Sequence, residues 1–256
     1  MTGKDREVKP PSATLFALEG RGLFDIASLA TAAPLLTLAS QGTRHAVIVL
    51  PGLGADDRST VAIRGFLSSL SYDVHGWSLG RNVRPSDADM PAILAQIARL
   101  RAATNLPVSL VGWSRGGTMA REAARQIPAA VHMVITLGSP FAAPRASNVA
   151  SIWRLLTGGN DTAPSPEGIK LLARPIPVPA TSIYTRSAGV VAWQACLEEA
   201  GPRRENIEVR TTHIGLGNHP PALWAIADRL AQPFGEWHPF RPGPLMAGFF
   251  AASGST

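Results

Sequence analysis

The stretch Val108-Ser109-Leu110-Val111-Gly112-Trp113-Ser114-Arg115-Gly116-Gly117 decides the fold. Three of its first four residues are aliphatic, the pattern of a short buried strand, and the residues from Gly117 to about Ile127 read as a helix. Between them, Gly112-x-Ser114-x-Gly116 matches G-x-S-x-G in the strand-to-helix context that the motif requires. So sharp a turn forces the serine into a strained backbone geometry and leaves no room for a Cβ two residues to either side. It also lifts the hydroxyl clear of the sheet and sets it at a helix N-terminus, where negative charge is favoured. Ser114 is therefore the candidate nucleophile.

Upstream of this turn, a strand is expected over 45–50 (HAVIVL), ending in Pro51-Gly52-Leu53-Gly54, then a helix over 59–70 and a strand over 72–77. A helix over 88–103 follows, with Ser86 or Asp87 as its N-cap and Pro91 in its first turn. Downstream, 131–137 (VHMVITL) reads as a buried strand. Prolines at 140, 144, 164, 166, 175, 177 and 179 then break the rhythm around a helical pattern at 148–156, so 139–180 is expected to be a small lid. The pattern resumes with a strand at 181–185, a helix at 191–200, a strand at 207–210 and a helix at 220–231. Short strands alternating with helices specify an α/β class with a mostly parallel sheet. The expected organisation is N-terminal helices over 1–43, one α/β domain over 44–240 that includes the lid, and a peripheral tail over 241–256.

Composition narrows the function classes. With 45% apolar and 16% charged residues among 256, the chain has enough apolar side chains for a core and is not disordered. A single cysteine, Cys196, excludes a disulfide framework and thiolate-rich metal sites, and suits a reducing compartment, so a cytoplasmic location is expected. The net charge of +6 invites an anionic partner, but the arginines are scattered and not interleaved with aromatics, which argues against nucleic acid. The weakly polar stretch 23–39 contains Asp25 and Pro34 and falls short of a bilayer span. Lys4, Arg6 and Lys9 precede it as in a secretory signal, yet it starts late and is rich in Ser and Thr. It reads as two short amphipathic helices, with peripheral lipid contact as a secondary reading. No histidine spacing suits a metal and no phosphate or dinucleotide loop follows a strand, so no metal and no cofactor are expected.

A serine nucleophile needs a base. His213 lies directly after the last expected strand, on the loop where folds carrying this motif place their histidine, whereas His219 is its competitor six residues on. His45, His75, His132 and His238 fall at strand starts, in a strand and in the tail. An oxyanion hole takes one N–H from the residue after the nucleophile and one from the loop after the first strand, which are Arg115 and Leu53. Trp113 beside the nucleophile, with Phe141 and Trp153 in the proline-rich segment, is expected to line an apolar acyl pocket.

As a set, these residues resemble the α/β-hydrolase family, and more narrowly its small bacterial lipase-like and esterase-like members. The resemblance spans about 44–232. It rests on Val49-Leu50-Pro51-Gly52-Leu53, His75-Gly76-Trp77, Gly80-Arg81-Asn82, Gly112 to Gly117, Leu137-Gly138-Ser139-Pro140, Ser182-Ile183-Tyr184 and Thr212-His213. It implies a small-molecule ester substrate cleaved through an acyl-enzyme by serine, acid and histidine in that chain order. One position departs. Where such proteins read Ser-x-x-Asp-Gly-Val-Val, this chain has Thr185-Arg186-Ser187-Ala188-Gly189-Val190-Val191, with Ala188 in the acid position. Three explanations stand: a substitution in an otherwise complete triad; another carboxylate reaching His213, with Glu198, Glu199 and Glu208 as candidates; or a weak Ser–His dyad or retired hydrolase that binds ligands. Acyl transfer is open to the same scaffold.

Overall fold

The computed structural model describes residues 8–149 and 166–250. Six strands, β1 (Ala46–Leu50), β2 (Asp73–Gly76), β3 (Val108–Trp113), β4 (Val131–Leu137), β5 (Ala180–Tyr184) and β6 (Arg204–Glu208), form one sheet in the order β2-β1-β3-β4-β5-β6, every neighbouring pair parallel. Alternation of side chains along the strands feeds two cores. Val47, Val49, Val111, Ile135, Leu137 and Ile183 face α2 (Leu23–Leu36), α3 (Val61–Ser69) and α7 (Pro220–Leu230). Ile48, Leu50, Leu110 and Val134 face α4 (Ser86–Thr104) and α5 (Arg115–Gln126). Because both faces are covered, the central strands are apolar throughout, which is why the run 131–137 is legible as a strand.

Three expectations shift. The helix expected over 191–200 is a single 3-10 turn, Trp193–Cys196. Its backbone has tertiary partners: Ala195 C=O takes the Ala142 N–H at 2.9 Å, Cys196 C=O takes the Ser182 hydroxyl, and both backbone groups of Glu198 pair with the Asn206 amide at 2.8 and 2.9 Å. The last strand begins at Arg204, earlier than 207, because β6 is a sheet edge whose charged residues hide the alternation. Helix α4 begins at Ser86 itself, so Pro91 sits in its second turn, and the Ser86 hydroxyl accepts from Arg115 at 3.1 Å. Within the proline-rich segment, α6 (Pro166–Ala173) is helical; the expected helix at 148–156 and Trp153 fall largely or wholly outside the described residues.

The N-terminal segment runs through α1 (Ala13–Ala17), a 3-10 turn (Leu18–Gly22) and α2. Leu36 of α2 is buried, while Leu23, Phe24 and Ile26 are exposed, Phe24 at 76%, so apolar side chains occupy more than one face. Among the described residues, no helix is long and apolar enough to cross a membrane.

At the end of the strands opposite the Ser114 turn, His45 bonds Ser109 Oγ through Nε2 and Thr43 Oγ1 through Nδ1, both at 2.8 Å, and its ring meets Tyr72, His132 and Phe234 edge-on. Burial pushes both His45 and His132 down to about 4. Above about pH 7 each is neutral in the folded and unfolded chain and contributes nothing to the pH dependence. Between about pH 6.5 and 4 the unfolded chain takes up protons that the folded chain refuses, so stability falls with pH, by up to roughly 3 kcal/mol per histidine. Urea midpoints taken from pH 7.5 down to 4.5 are expected to drop steeply below pH 6.5, less so in His132→Phe; a flat profile in the wild type would contradict this.

Candidate active site

Ser114 lies between β3 and α5 with φ 53° and ψ −120°, a left-handed conformation that a residue with a side chain holds only when its surroundings impose it. Glycines impose it here. A Cβ on Gly112 would lie 2.3 Å from Gly117 Cα, one on Gly116 2.4 Å from Leu50 C=O, and one on Gly117 2.0 Å from Ser139 Oγ, so strand, helix and neighbouring loop close on the turn without side chains between them. Ser114 N–H donates to Leu137 C=O at 2.7 Å and its own C=O takes the Gly117 N–H at 3.0 Å, which opens α5.

The loop after β1 packs against this turn: a Cβ on Gly52 would lie 3.5 Å from Ser114 Cβ. Its shape is held by Asn82, fully buried. The Asn82 side-chain amide donates to Pro51 C=O at 2.8 Å, its N–H donates to Ala55 C=O at 2.8 Å, and its C=O takes the Gly54 N–H at 2.9 Å. The Leu53 N–H is left without a protein acceptor among the described residues. Arg115 is spent on the same loop system: its guanidinium donates to Asn82 Oδ1 at 2.7 Å, Ser86 Oγ at 3.1 Å and Arg84 C=O, and burial lowers it to about 10. It braces the turn rather than reaching out for an anion.

His213 is 5% exposed and sits on the loop between β6 and α7. Two contacts bring it to the Ser114 turn. Trp113 Nε1 donates to His213 C=O at 3.2 Å, and the His213 ring lies against Gly138, where a Cβ would come within 2.9 Å of Nδ1. Gly138 follows Leu137, the acceptor of the Ser114 N–H. Burial lowers the imidazole to about 4, partly offset by the negative charge of Glu19. Among the described residues, Nδ1 is buried with no hydrogen-bond partner. His219, the competitor, precedes α7 and pairs through Nδ1 with Asp25 Oδ1 at 2.7 Å.

None of the three carboxylates named from the sequence serves His213, and Glu205, between them, pairs with Arg229. Glu198 is buried against Arg121, Glu208 takes Arg186 at 2.9 Å and the Tyr184 hydroxyl at 3.3 Å, and Glu199 is exposed. The acid that does come close is Glu19, from the N-terminal turn. Sequence reading missed it because it lies 194 residues away from His213 and carries no motif. Ala188 is buried, and Phe141 lies fully buried under the Arg121 guanidinium, whose Cζ is 3.6 Å from the ring centre. Trp113 fills the space beside Gly217 and ties the nucleophile turn to the histidine loop.

The alpha/beta hydrolase fold family matches residues 35–171, more than half of the chain and including the Ser114 turn. The chain belongs to the alpha/beta hydrolase family. In fold it resembles lipase B of Aspergillus fumigatus, with a TM-score of 0.56 and 19% identity over 75% of this chain and 53% of that one. It is also similar to the acylaminoacyl peptidase of Pyrococcus horikoshii, with a TM-score of 0.56 and 10% identity over 79% of this chain and 39% of that one. The chain thus spans about half or less of the length of these proteins. Comparison with curated protein sequences finds no match.

Proposed function

We propose that the protein is a carboxylic ester hydrolase acting through an acyl-enzyme on Ser114, with His213 as base and the N–H groups of Leu53 and Arg115 as oxyanion donors. The observation that carries this reading is the strained Ser114 backbone, held at a helix N-terminus where three glycines let strand, helix and neighbouring loop close on the turn. Ser114 Oγ attacks the ester carbonyl carbon as its proton passes to the His213 imidazole, and the carbonyl oxygen becomes an oxyanion facing the two N–H groups. Collapse breaks the C–O bond to the alcohol, which leaves with the proton returned by the imidazolium. Water then attacks the acyl-enzyme by the same route and releases the acid; an alcohol in place of water would give acyl transfer. Ile214, 46% exposed beside His213, and the partly exposed Leu18 beside Glu19 support apolar esters or lactones of short to medium acyl length. No cofactor takes part in this scheme.

A fluorophosphonate probe is expected to label the wild type at Ser114, and Ser114→Ala to lose both labelling and p-nitrophenyl butyrate hydrolysis. Ala188 favours the second reading, a ligand-binding hydrolase relative with a weak or retired site. Its signature would be a wild type that neither labels nor turns over ester.

A further inference from the structure

The N-terminal segment is built into the candidate site rather than laid beside it. Glu19 is 4% exposed, and its carboxylate accepts three backbone N–H groups: Gly189 and His213 (3.1 Å) on Oε1, and Ile214 at 2.9 Å on Oε2. It therefore joins the loop carrying position 188 to the loop carrying the histidine. Close backbone contacts on both sides fix it there: a Cβ on Gly189 would lie 2.3 Å from Leu15 C=O, and one on Gly22 would lie 2.6 Å from Thr212 Oγ1. Thr212 Oγ1 in turn reaches Glu19 C=O at 3.4 Å and takes the Gly215 N–H at 3.1 Å. The carboxylate is thereby held by three N–H donors on the histidine loop and its neighbour, in a water-poor setting beside the imidazole.

We propose that Glu19 is a positioning residue for His213, a carboxylate from the N-terminal turn that holds the histidine loop and supplies the negative charge which Ala188 cannot. This rests on His213 being the base. Glu19 does not replace a triad acid in full, because its oxygens bond the backbone and leave Nδ1 unpartnered among the described residues. What it contributes is support for the imidazolium that forms when Ser114 gives up its proton. The other charged groups around this loop are directed elsewhere. Asp25 on α2 takes the Thr211 hydroxyl at 2.6 Å and His219 at 2.7 Å, and Arg210 is exposed.

The test uses the full chain with Glu19→Gln, which removes the charge at nearly constant shape, and Glu19→Asp, which keeps the charge and shortens its reach. The His213 ring is titrated by NMR in a Ser114→Ala background, where no activity is needed, and kcat and KM are measured against pH with Ser114 intact. In Glu19→Gln the His213 midpoint is expected to fall by about half a unit or more and kcat about tenfold with KM little changed, whereas Glu19→Asp, with its shorter reach, shows a smaller fall in both. An unchanged midpoint in a folded Glu19→Gln chain overturns the proposal. If Glu19→Gln does not fold, Glu19→Asp decides: a reduced kcat restored by no change of pH supports the role, and wild-type kcat and midpoint overturn it. A wild type without Ser114-dependent turnover fails the ester-hydrolase reading, while the midpoint still judges whether Glu19 acts on His213.

Discussion

Ala188→Asp is expected to raise ester turnover by about a hundredfold or more, with most of the gain in kcat. In serine proteases, disabling the equivalent acid costs about ten-thousandfold in kcat because the imidazole loses its orienting partner and its tautomer. Here His213 Nδ1 lies buried without a partner among the described residues, and position 188 is buried on the neighbouring loop, so a carboxylate there has an N–H to accept. The gain should fall short of the full protease factor, because Glu19 already places a charge nearby. The same variant should shift the pH profile. The wild-type imidazole, held at about 4 by burial, stays neutral through the ordinary range, so kcat/KM is expected to be flat from neutrality down to about pH 5. An anion at 188 favours the imidazolium and moves the acid limb upward. It also lies next to the peptide that Glu19 binds, so the two carboxylates repel, and Ala188→Asp is expected to lose about 1–3 kcal/mol of stability. Steady-state kinetics with p-nitrophenyl butyrate over pH 4 to 9, beside urea unfolding, measures all three. Turnover within a factor of about two of wild type would mean that position 188 is not the acid's place.

Glu198→Ala is expected to be the most damaging substitution outside the site, costing about 3–5 kcal/mol and lowering Tm by roughly 10 °C. Its carboxylate pairs with Arg121, and both side chains are almost wholly buried. Arg121 also donates to Arg174 C=O at 3.1 Å and stacks on Phe141, so the pair anchors α5, the helix that begins at the Ser114 turn, to the segments on either side of β5. Burial and the neighbouring Arg125 and Arg204 push Arg121 down to about 9 even with this partner. Without Glu198 a buried cation is left uncompensated, which is what makes breaking such a pair so costly. Glu199→Ala, one residue on but exposed, is the control and should change stability by no more than about 0.5 kcal/mol. Urea denaturation of the two variants side by side checks the contrast; equal midpoints would show that the ion pair is not what holds α5.

The parallel sheet was legible because its central strands are buried on both faces and written as unbroken apolar runs, and because G-x-S-x-G fixes a strand, a turn and a helix at once. Less visible was whatever depends on tertiary hydrogen bonds. The segment 191–200 has helical composition, but Ser182, Ala142 and Asn206 capture its backbone groups. Ser86 looks like a helix cap and instead accepts from Arg115. At the candidate site, Ser114, His213 and Leu53 follow from strand ends, which local sequence marks. Glu19 does not, because a single acid in an apolar stretch says nothing about which distant loop it will meet. Arg115 illustrates a subtler limit: its position beside the serine is plain, but only the fold shows its side chain turned to Asn82, bracing the loop whose N–H would face the substrate.

The bond between Glu19 and the loop at 213 also sets an order of events on the ribosome. The first helices emerge with Leu23 and Phe24 uncovered, and the surface that receives Glu19 is synthesised 194 residues later. At about 5–20 residues per second, that interval is roughly 10–40 seconds. During it the sheet can assemble around the serine turn while the leading segment waits for its partner loop, so the candidate site would be completed by this docking step rather than by the formation of the core.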